Sequence, residues 1–386
     1  MNPVIPRLPP KARPLLLRIA AQAQSLALPL YAVGGCVRDW LLGRPTLDID
    51  LVVEGDPRGL AEWAAKAFDA RAESFGQFGT WRLLKKDWRL DFARSRREEY
   101  PEPASLPRVS PAPIAQDLLR RDFTINAMAL LLGAEGPERL LDPAGGLADL
   151  RAGLLRFLHA ESFRDDPTRV FRAARFLARL RLKPAPGLWA SAREALRRGW
   201  PERLSRHRLL HELWRILEEK DPAAALEILA RLGYLDVIFK GLRPPPKGLS
   251  SPEERLGAMA LQLGPGGKDF LASLPIEKSL ALLLRETLLV AAHRRAPRKK
   301  LAPLSRRLLK IVFPRLPRAA LSPLVLDGKD LSVWGAPSGR EFGALLEDAA
   351  KAQWEGRIRS RAEAIRWLKK RLGGRSGVRP AGDGSA

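Results

Sequence analysis

The chain has 386 residues, 46% of them hydrophobic and 28% charged, globular proportions that exclude wholesale disorder and allow a core shared among two or three domains. A single cysteine, Cys36, excludes a disulfide framework and a cysteine-based zinc cluster, and the four histidines are too scattered for a zinc helix; His207 and His211, four apart, lack a third ligand. With 67 Lys and Arg against 43 Asp and Glu the formal net charge is +24, which calls for a polyanionic partner: nucleic acid first, a membrane surface second.

In chain order, the first 13 residues are Pro-rich and expected to be poorly ordered, and 14–27 reads as an amphipathic helix. YAVGG (31–35) reads as a strand ending in a tight turn, VRDWLLG (37–43) as a helix stopped by Gly43, and LDIDLVVEG (47–55) as the next strand. A helix over 57–68 follows, then strands at 71–75, 80–85 and 88–94, the last two antiparallel across the short turn at 85–87. NAMALLL (126–132) closes a head of five or six strands. Beyond about residue 139 helical patterns dominate, at 165–181, 191–199, 205–219, 222–232, 252–263, 277–292, 302–311 and 357–372, separated by Pro- and Gly-bearing segments. The expected class is therefore α+β: an N-terminal segment and helix (1–27), a mixed head (28–138), a helical neck (139–240), a basic helical body and tail (241–376) and a disordered end (377–386). No apolar run approaches the ~18 residues of a membrane span and no secretory h-region is present, so a cytoplasmic protein is expected; a homo-oligomer is compatible with the sequence.

Three constellations carry chemistry. In the first, Gly34 and Gly35 mark a strand-to-helix turn where backbone without Cβ atoms can approach a phosphate, and Arg38 adds a charge. Asp48 and Asp50 alternate on a strand and so point to one face, where their repulsion asks for a cation; a pair of oxygen-ligated Mg²⁺ ions fits, and Asp91 on another strand could complete a site for phosphoryl or nucleotidyl transfer. A lone D-x-D or a lone Gly-Gly is weak, and Asp91 is as compatible with a solvent-facing strand position. In the second, Arg120, Arg121, Asp122 and Asn126 suit a triphosphate and a ribose hydroxyl, although Asp122 could equally be a helix cap among surface arginines. In the third, Arg169, Arg172 and Arg175 recur along one face of a helix after Asp165, Asp166 and Pro167, and Asp166 with Arg169 offers an acceptor and a fork of donors for a base edge. A capped surface helix with a basic stripe is the bland alternative. LDPAGGLADL (141–150) reads as a hinge, and 201–213 as neck packing with phosphate contacts.

Charge is concentrated near the C-terminus. Residues 293–318 hold ten Lys and Arg and no acid, among them Arg294, Arg295, Arg298, Lys299 and Lys300; residues 357–375 hold eight and one acid, Glu363. Such runs are often solvated faces, but two of them in this chain point to a polyphosphate track.

YAVGGCVRDWLLG with LDIDLVV, RRDFTINAMAL, LDPAGGLADL, DDPTRVFRAARF and ERLSRHR, in this order over about residues 28–240, resemble the bacterial class II tRNA nucleotidyltransferase and poly(A) polymerase family. The resemblance implies that Asp48 and Asp50 hold catalytic Mg²⁺, and that Gly35 and Arg38 meet the nucleotide's phosphates. Arg121 and Asp122 would meet triphosphate and ribose, Asp166 and Arg169 would template the base, and Arg172 and Arg175 would support them. The implied reaction is attack of an RNA 3′-hydroxyl on the α-phosphate of ATP or CTP, with pyrophosphate released, to build the CCA end of tRNA or its terminal A; poly(A) polymerase and a non-catalytic RNA-binding protein are the alternatives. The family usually has Glu-Asp where this chain has Asp165–Asp166. Relatives that add only CC have a shortened linker between the strand of Asp91 and Arg120, so the long linker here argues against that role. The stretch FGQFGTWRLL (75–84) differs from that of dedicated poly(A) polymerases.

Overall fold

A computed structural model describes residues 5–75, 79–336 and 339–372; the expected disordered end, 377–386, lies outside the described residues. They form two compact units, one running to Leu204 and including Arg231–Gly233, the other made of Ser205–Ala230 and the described residues from Tyr234 onward.

The N-terminal stretch of the first unit differs from its sequence expectation. Residues 5–12 are not loose: Leu8 and Ala12 are buried, and a turn at residues 9–12 leads into helix α1 (Arg13–Ser25), with Pro14 in its first turn. Then come β1 (Leu30–Val33), α2 (Gly35–Leu41), β2 (Asp48–Val53), α3 (Arg58–Phe68), β3 (Arg71–Phe75), β4 (Thr80–Lys85) and β5 (Trp88–Arg94). β6 (Arg96–Glu99), β7 (Arg108–Pro111), α4 (Ile114–Leu119), β8 (Ala129–Leu132), β9 (Pro137–Leu141) and α5 (Gly146–Ala152) follow. A two-residue pairing of β10 (Leu154–Leu155) with β11 (Lys183–Pro184) encloses α6 (Ser162–Asp165) and α7 (Thr168–Leu180), and α8 (Leu188–Arg197) follows.

The main sheet has seven strands, ordered β3-β4-β5-β2-β1-β8-β9, where the sequence suggested five or six. The additional strand is β9, an edge strand (PERLL) with little apolar alternation, paired with β8 across a register shift at Leu131/Leu132. The long linker before Arg120 is not a free loop: β6 and β7 form an antiparallel hairpin and α4 follows directly. Within the main sheet all pairings are antiparallel except β2 with β5, which is parallel; the short β10–β11 pairing is parallel too. Alternation decides what each face carries. Ile49, Leu51 and Val53 point one way and are buried. Asp48, Asp50 and Val52 point the other, where Val52 joins Tyr31, Val33 and Ala129 in a cluster with Ile114 and Leu118 of α4. Packing α4 on the carboxylate-bearing face brings Arg121, two residues past its end, beside Asp50.

The second unit is helical: α9 (Arg206–Leu217), α10 (Pro222–Arg231, its last residue counted with the first unit), α11 (Tyr234–Ile238), α12 (Pro252–Gln262), α13 (Gly267–Ala272), α14 (Lys278–His293), α15 (Pro303–Val312), α16 (Gly328–Val333), α17 (Arg340–Trp354) and α18 (Arg361–Leu372). α17, fifteen residues long, was not foreseen. Its buried positions are mostly alanines (Ala349, Ala350, Ala352), which a search for large apolar residues overlooks; Ala349 and Ala352 pack with Leu326, Leu331, Ile358 and Leu368.

Candidate active site and basic surface

The site grows from the β1–α2 turn. Gly34 has φ +73°, a backbone open to glycine, and a Cβ there would stand 2.9 Å from Arg121 Nη1 and 3.9 Å from Asp50 Oδ2. The missing side chain thus lets a guanidinium lie over the turn beside Asp50. Gly35 begins α2, and one turn later Arg38 is buried, donating to Asn126 Oδ1 at 2.5 Å and to Asp39 Oδ1 at 2.9 Å.

Asp48 and Asp50 share a face of β2, as their spacing predicted. The parallel register sets Asp50 opposite Asp91 and Asp48 opposite Arg89, while β4 sets Arg82 opposite Asp91. Arg89 Nη2 lies 2.7 Å from Asp48 Oδ2; Arg82 holds Asp91 through Nε–Oδ1 (2.8 Å) and Nη2–Oδ2 (2.9 Å). The Asp50 carboxyl is pushed up to about 6, first by burial; Arg121 pulls it down, while the like charges of Asp91 and Asp48 push it up. Asp50 nonetheless keeps solvent-accessible surface, so solvent moderates the effect of burial. Among the described residues no three His, Cys, Asp or Glu side chains converge as a ready metal cage. The donor set nevertheless fits a divalent cation: two carboxylates on one face, one of them reluctant to ionise beside its neighbours. Beneath them, burial and the Asp50 charge push the Cys36 thiol up to about 12, so it stays protonated.

The second and third constellations meet. Asp122 Oδ2 accepts from Arg172 Nε (2.8 Å) and Nη2 (2.6 Å), and Asp122 Oδ1 accepts from Asn126 Nδ2 (3.0 Å). Burial would raise the Asp122 carboxyl, but Arg172, Asn126 and Arg169 outweigh it and hold it at about 2. The arginine row of α7 is divided among different partners. Arg169 donates to Ser162 Oγ and to the Arg120 carbonyl, both at 2.8 Å; Arg172 takes Asp122; Arg175 is buried with its guanidinium 5.0 Å from the Phe176 ring centre. Part of the anion expected along this row is therefore the protein's own Asp122. Asp166 Oδ1 accepts from Thr168 N–H (2.9 Å) and Oγ1 (2.6 Å) at the start of α7.

Sequence reasoning missed two supports. Asp117, fully buried, takes Arg120 (2.7 Å) and Arg121 (2.7 Å), and these guanidiniums overcome the upward push of burial to lower its carboxyl. Its spacing of three and four from those arginines on a helix was the available signal. The second support is in the 141–150 motif, which lies inside the first unit. Asp142 caps α5 through the Gly146 (2.6 Å) and Leu147 (2.9 Å) N–H groups; Asp149 accepts from Thr124 Oγ1 (2.7 Å) and Arg156 Nε (3.0 Å). Gly146 packs so tightly that a Cβ would stand 2.1 Å from the Thr124 carbonyl oxygen. The motif clamps the Thr124–Asn126 turn that presents Asn126 to Arg38.

In the second unit Arg294, Arg298, Lys299 and Lys300 are exposed, whereas Arg295 is half-buried and pairs with Glu347 at 2.8 Å. No described helix is long and apolar enough to cross a membrane.

Residues 30–156 match the poly A polymerase head domain, and 202–244 match the probable RNA and SrmB-binding site of polymerase A. A CC-adding tRNA nucleotidyltransferase of Deinococcus radiodurans is 34% identical over 354 residues, 89% of this chain and 90% of the relative. The chain belongs to the tRNA nucleotidyltransferase family. Another family member, an A-adding tRNA nucleotidyltransferase of Aquifex aeolicus, is 40% identical over 216 residues, 56% of this chain but 26% of the relative; the chain thus spans about a quarter of the first curated family members it matches. The solved complex of a CCA-adding enzyme with CTP superposes with a TM-score of 0.67 at 26% identity, covering 97% of both chains.

Proposed function

We propose that this chain is a template-independent nucleotidyltransferase that extends or repairs the 3′-terminal CCA of tRNA, or its terminal A, from CTP and ATP with release of pyrophosphate. The observation that carries the reading is the Asp48–Asp50 pair on one face of β2, with Arg121 lying over Gly34 beside it. Asp48 and Asp50 would hold Mg²⁺, which supplies positive charge to acidify the attacking hydroxyl and to offset charge building on the transferred phosphate. Gly34 and Gly35 let the triphosphate approach the backbone, and Arg38 and Arg121 neutralise its oxygens. Asp122 and Asn126 orient the ribose, Arg172 and Arg175 brace that region, and Asp166 with Arg169 reads the base edge. Asp91 adds negative charge beside Asp50. The exposed cations Arg294, Arg298, Lys299 and Lys300, with Arg295 behind them, follow the tRNA backbone. The reading includes a cytoplasmic place of action.

A second reading, addition of CC alone, is favoured by the near full-length match to a CC-adding relative. The linker length that argued against it is taken up by the β6–β7 hairpin. Transcripts lacking CCA, CA or only A, each offered CTP, ATP or both with Mg²⁺, separate the readings. CTP incorporation that stops before A supports the second; binding of tRNA with no incorporation from either nucleotide overturns both.

A further inference from the structure

Three carboxylates and three guanidiniums crowd one face of the first unit's sheet: Asp48, Asp50 and Asp91 against Arg82, Arg89 and Arg121. The set is already neutral, so a divalent cation finds full attraction only where one guanidinium gives way. The two cross-strand arginines hold their carboxylates differently. Arg82 forks Asp91 with two nitrogens on two oxygens, and 14% of the Asp91 side chain is exposed. Arg89 reaches Asp48 through Nη2 alone, which straddles Oδ1 (2.6 Å) and Oδ2 (2.7 Å), and 55% of the Asp48 side chain is exposed. Arg89 Nε is buried, 3.8 Å from Asp91 Oδ2, and has no hydrogen-bond partner among the described residues. A fork in a partly buried setting is held firmly, whereas a half-exposed pair made through one nitrogen is weak.

We propose that Arg89 is the displaceable counter-ion of Asp48. It neutralises that carboxylate before a divalent cation arrives, competes with the cation for the same two oxygens, and thereby sets how tightly the site takes metal. Arg82 stays on Asp91. Arg89 is a positioning residue, and its role rests on the metal reading of Asp48 and Asp50.

Mn²⁺ binding to the full chain, followed by the electron paramagnetic resonance of free Mn²⁺, tests this without turnover. Removing a unit charge next to a dication site tightens binding, so Arg89→Gln binds Mn²⁺ roughly tenfold more tightly than the unaltered chain. Arg89→Lys, which keeps the charge, stays nearer the unaltered chain. Equal or weaker binding by Arg89→Gln overturns the proposal. Should that variant fail to fold, phenylglyoxal labelling of the unaltered chain, mapped by mass spectrometry, decides: Mn²⁺ raises labelling at Arg89 and leaves Arg82 unchanged. No rise at Arg89 overturns the proposal. If the unaltered chain binds no Mn²⁺ at all, the metal reading fails and this inference with it.

Discussion

Asp50 and Asp91 lie directly opposite one another on the parallel strands β2 and β5 and point to the same face of the sheet. Burial, with the like charges of Asp91 and Asp48 added to it, holds the Asp50 carboxyl at about 6, well above an ordinary aspartate. The folded state therefore binds this proton more tightly than the unfolded state. Its contribution to stability is complete below about pH 4 and is lost as the pH rises through 6. In metal-free urea unfolding, the unaltered chain should lose stability relative to Asp50→Asn between pH 4 and 7; parallel curves would refute the assignment.

Asp48→Ala and Asp50→Ala should each abolish nucleotide incorporation while tRNA binding survives, because phosphate contacts elsewhere supply the affinity. Filter binding beside a radiolabel assay checks this. Parallel loss of binding would count against a metal role.

Gly146→Ala places a Cβ 2.1 Å from the Thr124 carbonyl oxygen, a backbone atom with no freedom to swing aside. We expect roughly 1–3 kcal/mol of destabilisation, as for other overpacked positions. The strain falls on the turn that presents Asn126 to Arg38, so the KM for nucleotide should also rise. Unchanged stability would show that the clamp yields.

Arg172→Met removes both guanidinium bonds to Asp122 Oδ2 and leaves a buried carboxylate with fewer donors. Breaking such a pair, here partly open to solvent, should cost about 2 kcal/mol near neutral pH. Because Asp122 is depressed to about 2, its stabilisation is present above the unfolded value near 4 and is lost as the pH falls through 2. The deficit of the variant should narrow over that interval in thermal unfolding.

Neutralising Arg294, Arg298, Lys299 and Lys300 together should weaken tRNA binding and flatten its salt dependence by roughly one unit of log–log slope for each cation that meets a phosphate. Arg295, tied to Glu347, should contribute less. An unaltered slope would make this run a solvated surface.

Residue spacing alone put Asp48 and Asp50 on one face, because strand alternation is local geometry, and it marked Gly34 as a turn, because only the backbone torsion is at stake. The helix at Thr168–Leu180 and the strands at 80–85 and 88–94 were legible for the same reason. Partners distant in sequence were not. That Arg89 faces Asp48 and Arg82 faces Asp91 depends on the register of three strands, and that Arg172 turns inward to Asp122, fifty positions away, depends on how α7 packs. The 141–150 segment read as a hinge because Gly-Gly is locally permissive; only the approach of Gly146 to Thr124 makes it a clamp. Edge strand β9 and alanine-rich α17 escaped notice because their stability comes from neighbours rather than from their own periodicity. The sequence thus singled out the side chains proposed to carry the chemistry. Tertiary structure decided which charges neutralise one another, because Coulombic pairing acts across space and the chain's order does not record it.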